Sequence, residues 1–82
     1  MPHYVYIIQS QLDNGYYIGE TSNVEKRLLF HNEGKQRSTR PRIPFELVIQ
    51  EEYPSRYEAL KREKQIKSWK GGEPFKKLVN GM

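Results

Sequence analysis

Glu63 occupies a position that packing alone does not explain. Ala59 and Leu60 precede it by about one turn of a predicted helix, and Ile66 follows it by three residues. By the i±3 and i±4 rule Glu63 shares their apolar face, while Lys61, Arg62 and Lys64 point elsewhere. An unpaired carboxylate on such a face is very costly, so Glu63 must be neutralised, paired with Lys67 at i+4, or holding a cation. A hard divalent ion such as Mg²⁺ suits this setting, because it often takes one or two protein carboxylates and completes its shell with water and phosphate oxygens. Arg27 and His31 raise a matching question. Four residues apart, they stack on one edge of an earlier helix beside Val24 and Leu28. As surface residues they need no explanation; as a pair they form a phosphate clamp, a planar guanidinium beside an imidazole that can donate or carry a proton. The third feature is GYYIGE (15–20), where Gly19 stands in a strand at a point where a side chain would pack. Glycine there marks a bulge or a close backbone approach, and the tyrosines beside it are either core filler or reagents.

These residues are carried by three strands and two helices. YVYIIQ (4–9) is rich in β-branched and aromatic residues and reads as a buried strand. Asp13-Asn14-Gly15 is a hairpin turn signal, and YYIGE returns antiparallel. Ser22 and Glu25 match a capping box, which predicts a helix starting at Asn23 with Val24, Leu28 and Leu29 toward the core. It should stop near Asn32 to Gly34, with Gly34 as a C-terminal cap. A basic loop, GKQRSTRPRIP, leads to FELVIQEEY (45–53), whose alternation sets Phe45, Leu47 and Ile49 on one face of a third strand. Ser55 and Glu58 form a second capping box for a helix ending near Trp69, Gly71-Gly72 break it, and residues 73–82 can form one more short helix. The expected architecture is α+β: a three-stranded antiparallel sheet flanked by helices, in the order ββαβα plus a short C-terminal helix, within one domain spanning residues 1–82.

Composition narrows the function. The chain has 82 residues, no cysteine and a net charge of +4. Lack of cysteine excludes disulfide scaffolds and thiolate metal sites and fits a reducing cytoplasm. No apolar run reaches the roughly 20 residues a membrane span needs, and no signal peptide precedes the first strand, so a soluble cytoplasmic protein is expected. The charge is unevenly spread: residues 26–42 carry six basic groups against Glu33, and residues 56–82 carry eight against Glu58, Glu63 and Glu73. Two basic blocks make nucleic acid the natural partner, although a merely solvated basic surface has the same composition.

Taken in order, YVY (4–6), YIG (17–19), a helix bearing Arg27 and His31, and a later helix bearing Glu63 resemble the GIY-YIG nuclease superfamily. TSNVEKRL, HNEG, the Ser38-Thr39 loop, EEY and EALKREKQIKSW extend the similarity to its small stand-alone bacterial branch, over nearly the whole chain. The resemblance implies metal-dependent hydrolysis of DNA phosphodiester bonds. Tyr6 matches the last residue of the first tripeptide and Tyr17 the first of the second, and Arg27, His31 and Glu63 match the family's arginine, histidine and metal-binding glutamate. The implied cofactor is Mg²⁺ or Mn²⁺ on Glu63, with no organic cofactor. Arg27 would stabilise the transition-state charge, and Tyr6 would act as general base with Tyr17 and His31 orienting it or the water. A standing tyrosinate would require neighbouring cations to lower the Tyr6 pKa, which implies activity that rises with pH; transient deprotonation is the alternative. Arg37, Ser38, Thr39, Arg40 and Arg42 of the loop, with Lys61, Lys64 and Lys67, would contact DNA through phosphates. Three positions depart from the family pattern: Tyr4 replaces a frequent glycine, Glu20 follows YIG where some relatives have lysine, and Asn80 is too distant to stand for the asparagine that several members carry. No separate sequence-reading module is visible, so recognition should be structure-directed, as in repair or recombination, or rely on a targeting partner. The competing readings are a nucleic-acid-binding module that kept the scaffold without useful catalysis, and an interaction domain using Trp69 and Phe75.

Overall fold

β1 (His3–Ser10), β2 (Tyr16–Thr21) and β3 (Phe45–Tyr53) form an antiparallel sheet in the order β2-β1-β3. The computed structural model describes residues 1–81. Helices α1 (Val24–Asn32), α2 (Arg56–Trp69) and α3 (Glu73–Asn80) complete it, with a 3₁₀ turn at Arg40–Arg42 before β3. The predicted ββαβα order with a C-terminal helix is what forms; of the tail predicted to be helical, Met82 lies outside the described residues.

The central strand explains the layering. Val5, Tyr6, Ile7 and Ile8 are each at most 2% exposed, because a continuous apolar run can be covered on both faces at once. Val5 and Ile7 pack with Ile18, Ala59, Ile66 and Phe75, which places α2 and α3 on one face. Tyr6 and Ile8 pack with Val24 and Phe45, which places α1 on the other. Among the described residues no helix is long and apolar enough to cross a membrane. Trp69 and Phe75, the anchors of the interaction-domain reading, pack into or against the α2 face rather than standing free: Phe75 is buried, and Arg62 lies over the half-buried Trp69 ring at 5.1 Å.

Three local expectations are corrected. In β3, Ile7 pairs with Ile49 but Ile8 pairs with Leu47, so Val48 is bulged out of the register. A bulge reverses which residues face which side. Phe45 therefore faces α1 while Ile49 joins the α2 side, and Leu47 stays 41% exposed. The shift also brings Glu51 to Arg62, whose Nε donates to it at 2.9 Å. The α1 cap is Asn23 rather than Ser22: its Oδ1 accepts from the Lys26 N–H at 3.0 Å, while the Thr21 hydroxyl accepts from the Asn23 N–H at 3.1 Å. Leu29, expected in the core, is exposed. Gly34 does end the helix region at φ 76°, where the Lys35 N–H reaches back to the Phe30 carbonyl, and Ser55 caps α2 through the Glu58 N–H at 3.3 Å.

Candidate active site

The α1-facing side of the sheet gathers the residues that could do chemistry. Tyr6 and Gly19 are direct partners across β1 and β2, and Tyr17 follows on the same face two residues away. Gly19 has a specific reason to be glycine. A Cβ there would lie 2.5 Å from the Tyr6 hydroxyl and 2.6 Å from its Cζ. The room that Gly19 leaves is filled by the Tyr6 ring itself. Tyr16, on the opposite face, packs edge-on against Phe75 with centroids 5.2 Å apart, which makes it core filler.

α1 delivers His31 onto this surface. Its Nε2 lies 2.9 Å from the Tyr6 hydroxyl, with both residues almost fully buried. Its ring packs against Tyr17 with centroids 4.9 Å apart and is flanked by Phe30 and Phe45 at 6.0 Å. The helix is pinned in place by Asn32, whose side chain imitates a strand edge. Asn32 Nδ2 donates to the Phe45 carbonyl at 3.0 Å, and Oδ1 accepts from the Phe45 N–H at 2.7 Å. Arg27, one turn earlier and half-buried, lies over Phe30 at 4.9 Å and has no ion-pair partner among the described residues. It lines a surface cleft of about 280 Å³ together with Thr21, Ser22, Asn23, Lys26 and Phe30. A half-buried guanidinium without a carboxylate is suited to an anionic ligand.

The electrostatics correct one expectation. Burial, followed by the neighbouring Tyr17, raises the Tyr6 phenol well above its ordinary value, and the opposing charge of Arg27 does not offset this. A standing tyrosinate is therefore not what the site favours. Burial, then the positive charge of Arg27, lowers the pKa of His31, so the imidazole is neutral at pH 7. A neutral imidazole beside a protonated phenol can receive the phenol's proton.

Glu63 lies on α2 with its side chain 15% exposed and its Oε2 paired with Lys67 Nζ at 2.9 Å. Its charge reaches Tyr6, whose pKa it helps to raise. The i+4 pair that the spacing offered is formed. Such a pair with a half-exposed lysine is worth little and can exchange for another cation. Among the described residues no group of three or more His, Asp or Glu side chains could hold a metal. One hard oxygen donor with water and phosphate completing the shell fits a Mg²⁺-type ion and does not fit zinc, which requires a set of nitrogen or sulfur ligands.

The expected DNA-contacting residues divide. Arg37 and Ser38 are exposed on the loop, and Lys61 and Lys64 on α2. Arg40 is exposed, with its Nε donating to the Gly34 carbonyl at 2.7 Å, and Lys67 is engaged with Glu63. Arg42 is tied to Asp13 at 3.0 Å and lies over the Phe45 ring, so it braces the hairpin. Thr39 is a correction. It is fully buried, and its Oγ1 lies 2.9 Å from His31 Nδ1 and 3.3 Å from the Gln36 carbonyl. No periodicity links a loop threonine to a histidine eight residues earlier, so the sequence carried no local signal of that contact. Glu20, the acidic departure after YIG, is held by His3 at 2.6 Å and by Arg56 at 3.5 Å.

The family model of the GIY-YIG catalytic domain matches residues 2–77. The chain is similar to a UPF0213 protein of Staphylococcus haemolyticus, 43% identical over 77 residues that cover 93% of each chain. It is also similar to a UPF0213 protein of Natronomonas pharaonis, 45% identical over 67 residues covering 80% of this chain and 78% of that one. Among solved structures it resembles the solution NMR structure of a UPF0213 protein from Bacillus halodurans, with a TM-score of 0.62 and 37% identity over 98% of this chain and 84% of that one.

Proposed function

Because the chain belongs to the GIY-YIG catalytic domain family, we propose that it is an endonuclease hydrolysing DNA phosphodiester bonds with a divalent cation, Mg²⁺ or Mn²⁺, held on Glu63. The observation that carries this reading is the buried hydrogen bond between the Tyr6 hydroxyl and His31 Nε2 at 2.9 Å, beside the uncompensated charge of Arg27. Tyr6 takes the proton of the attacking water as its own hydroxyl proton passes to neutral His31, so no tyrosinate has to persist in solution. Arg27 holds a non-bridging phosphate oxygen and stabilises the charge that grows on it in the transition state. Tyr17 fixes the His31 ring by packing and lines the place where the water sits. When bound, the cation supplies Lewis-acid stabilisation of the departing 3′ oxygen. Arg37, Ser38, Arg40, Lys61 and Lys64 contribute phosphate contacts that are independent of base sequence. Recognition is therefore of DNA structure rather than sequence, in a repair or recombination setting, with a partner able to add targeting.

Supercoiled plasmid incubated with Mg²⁺ or Mn²⁺ is expected to be nicked, and EDTA to stop the reaction. Glu63→Gln, which keeps the shape and removes the charge, is expected to lower the rate by at least about a hundredfold, the cost of losing several kcal/mol of metal-assisted stabilisation. Cleavage by Glu63→Gln at the wild-type rate would remove Glu63 from the metal site.

The pH profile follows from His31. Its folded pKa lies below the ordinary 6.5, and protonation fills the Nε2 lone pair that must accept from Tyr6. Activity should therefore be fully present above about pH 6.5 and lost as pH falls through the lowered value. The raised Tyr6 pKa means no further gain as pH climbs from 7 to 9. Single-turnover rates over pH 5–9 check this; a continuous rise across the alkaline half would restore the tyrosinate.

A further inference from the structure

We infer that Thr39 is a positioning residue that locks His31 in the tautomer carrying its proton on Nδ1. Its consequence for rate rests on the proposed hydrolysis; the tautomer itself does not. Three contacts run in series: Tyr6 hydroxyl to His31 Nε2 at 2.9 Å, His31 Nδ1 to Thr39 Oγ1 at 2.9 Å, and Thr39 Oγ1 to the Gln36 carbonyl at 3.3 Å. Tyr6, His31 and Thr39 are exposed by 2%, 1% and 0%. In such a chain each hydroxyl and each imidazole nitrogen can face either way, but a carbonyl only accepts. With the Thr39 hydroxyl donating to the Gln36 carbonyl, which also accepts the Thr39 and Arg40 backbone N–H groups, its lone pair accepts from Nδ1–H, which leaves Nε2 to accept from Tyr6. Reversing the chain gives the Thr39 proton to Nδ1 and the Nε2 proton to the Tyr6 oxygen. The Tyr6 hydroxyl proton then has no protein acceptor among the described residues and only water can take it, whereas the first arrangement pairs every donor of the chain within the protein.

The arrangement has a chemical purpose. Only the Nδ1–H form presents a lone pair to Tyr6, so only that form can take the phenolic proton when water is deprotonated. The same short segment also ties the centre to the substrate-facing loop, since Gln36 and Thr39 bracket Arg37 and Ser38.

The chain has 2 histidines, so ¹⁵N-histidine labelling gives two imidazoles, and a His3→Gln variant assigns them. Long-range ¹H–¹⁵N correlation at pH 7.5 is expected to show His31 protonated on Nδ1 in wild type and in Thr39→Ser. Thr39→Val, which keeps the shape and removes the hydroxyl, should shift His31 to Nε2–H or to a mixture. Single-turnover DNA cleavage should fall by about 10–100-fold in Thr39→Val, the range lost when the group orienting a functional histidine is removed, with KM little changed and Thr39→Ser close to wild type. Wild-type His31 carrying its proton on Nε2 would overturn the proposal even if Thr39→Val did not fold. So would a folded Thr39→Val with the wild-type tautomer, or Thr39→Ser behaving as Thr39→Val. The expected tautomers with no cleavage by any protein would leave the positioning role intact and reject the hydrolase reading instead.

Discussion

Tyr6→Phe is expected to lower the single-turnover rate of DNA cleavage by about 10²–10⁴-fold, the range a positioned general base contributes. The substitution removes one oxygen and keeps the ring that fills the space over Gly19 and packs against Tyr17 and His31. The fold should survive it, because leaving the buried His31 Nε2 without its partner costs about 1–3 kcal/mol. DNA binding should be unchanged, since the phosphate-facing groups lie on other residues. A chemical defect without a binding defect is the signature sought. If Tyr6→Phe cleaves at the wild-type rate, the proton of the attacking water goes elsewhere and the Tyr6–His31 contact is structural.

Gly19→Ala tests the same group from the other side of the hairpin. The added methyl carbon would meet the Tyr6 hydroxyl at 2.5 Å, Cζ at 2.6 Å and Cε1 at 2.8 Å, well inside the roughly 3.5–4.0 Å of ordinary carbon contacts. Tyr6 cannot swing away easily, because it is 2% exposed and its neighbours are Tyr17, His31 and the core around Val24 and Phe45. Overpacking of this kind costs about 1–3 kcal/mol, visible as a lower thermal midpoint. Activity should fall further than stability alone explains, by about a hundredfold, because a displacement of about 1 Å takes the hydroxyl out of reach of Nε2. Thermal melts beside cleavage rates measured well below the melting transition separate the two effects. A stable and fully active Gly19→Ala would show that Tyr6 moves without consequence and is not the base.

Much of this was legible because the informative residues recur at element spacing. Arg27 and His31 are one helical turn apart, so their shared face follows from the 3.6-residue period. Glu63 stood out because a carboxylate shares a face with Ala59 and Ile66, and it does lie largely covered, held by the Lys67 that the same spacing named as its partner. The two basic blocks, by contrast, did not reveal which of their members were free. Arg42 is spent on Asp13, and Thr39 is buried against His31, because loop side chains follow turn geometry rather than a period. The bulge at Val48 was equally hidden: FELVIQEEY alternates cleanly in letters, and only pairing with β1 shows that one residue is left out. The α1 cap was misplaced by one residue because Ser22 and Asn23 both suit an N-cap, and the Thr21 hydroxyl decides between them by holding the Asn23 N–H.

DNA hydrolysis by this Tyr-His-Arg surface with Glu63 can be checked in one parallel assay. Wild type, Tyr6→Phe and Glu63→Gln would be given the same flapped and fully duplex DNA with Mg²⁺, scoring cleavage and binding in parallel. Fast cleavage is expected from wild type alone, abolished by EDTA and slowed at least about a hundredfold in both variants, with all three proteins binding DNA alike and losing that binding steeply as salt rises. Binding by all three with cleavage by none would make the protein a nucleic-acid-binding module on a nuclease scaffold and not a hydrolase.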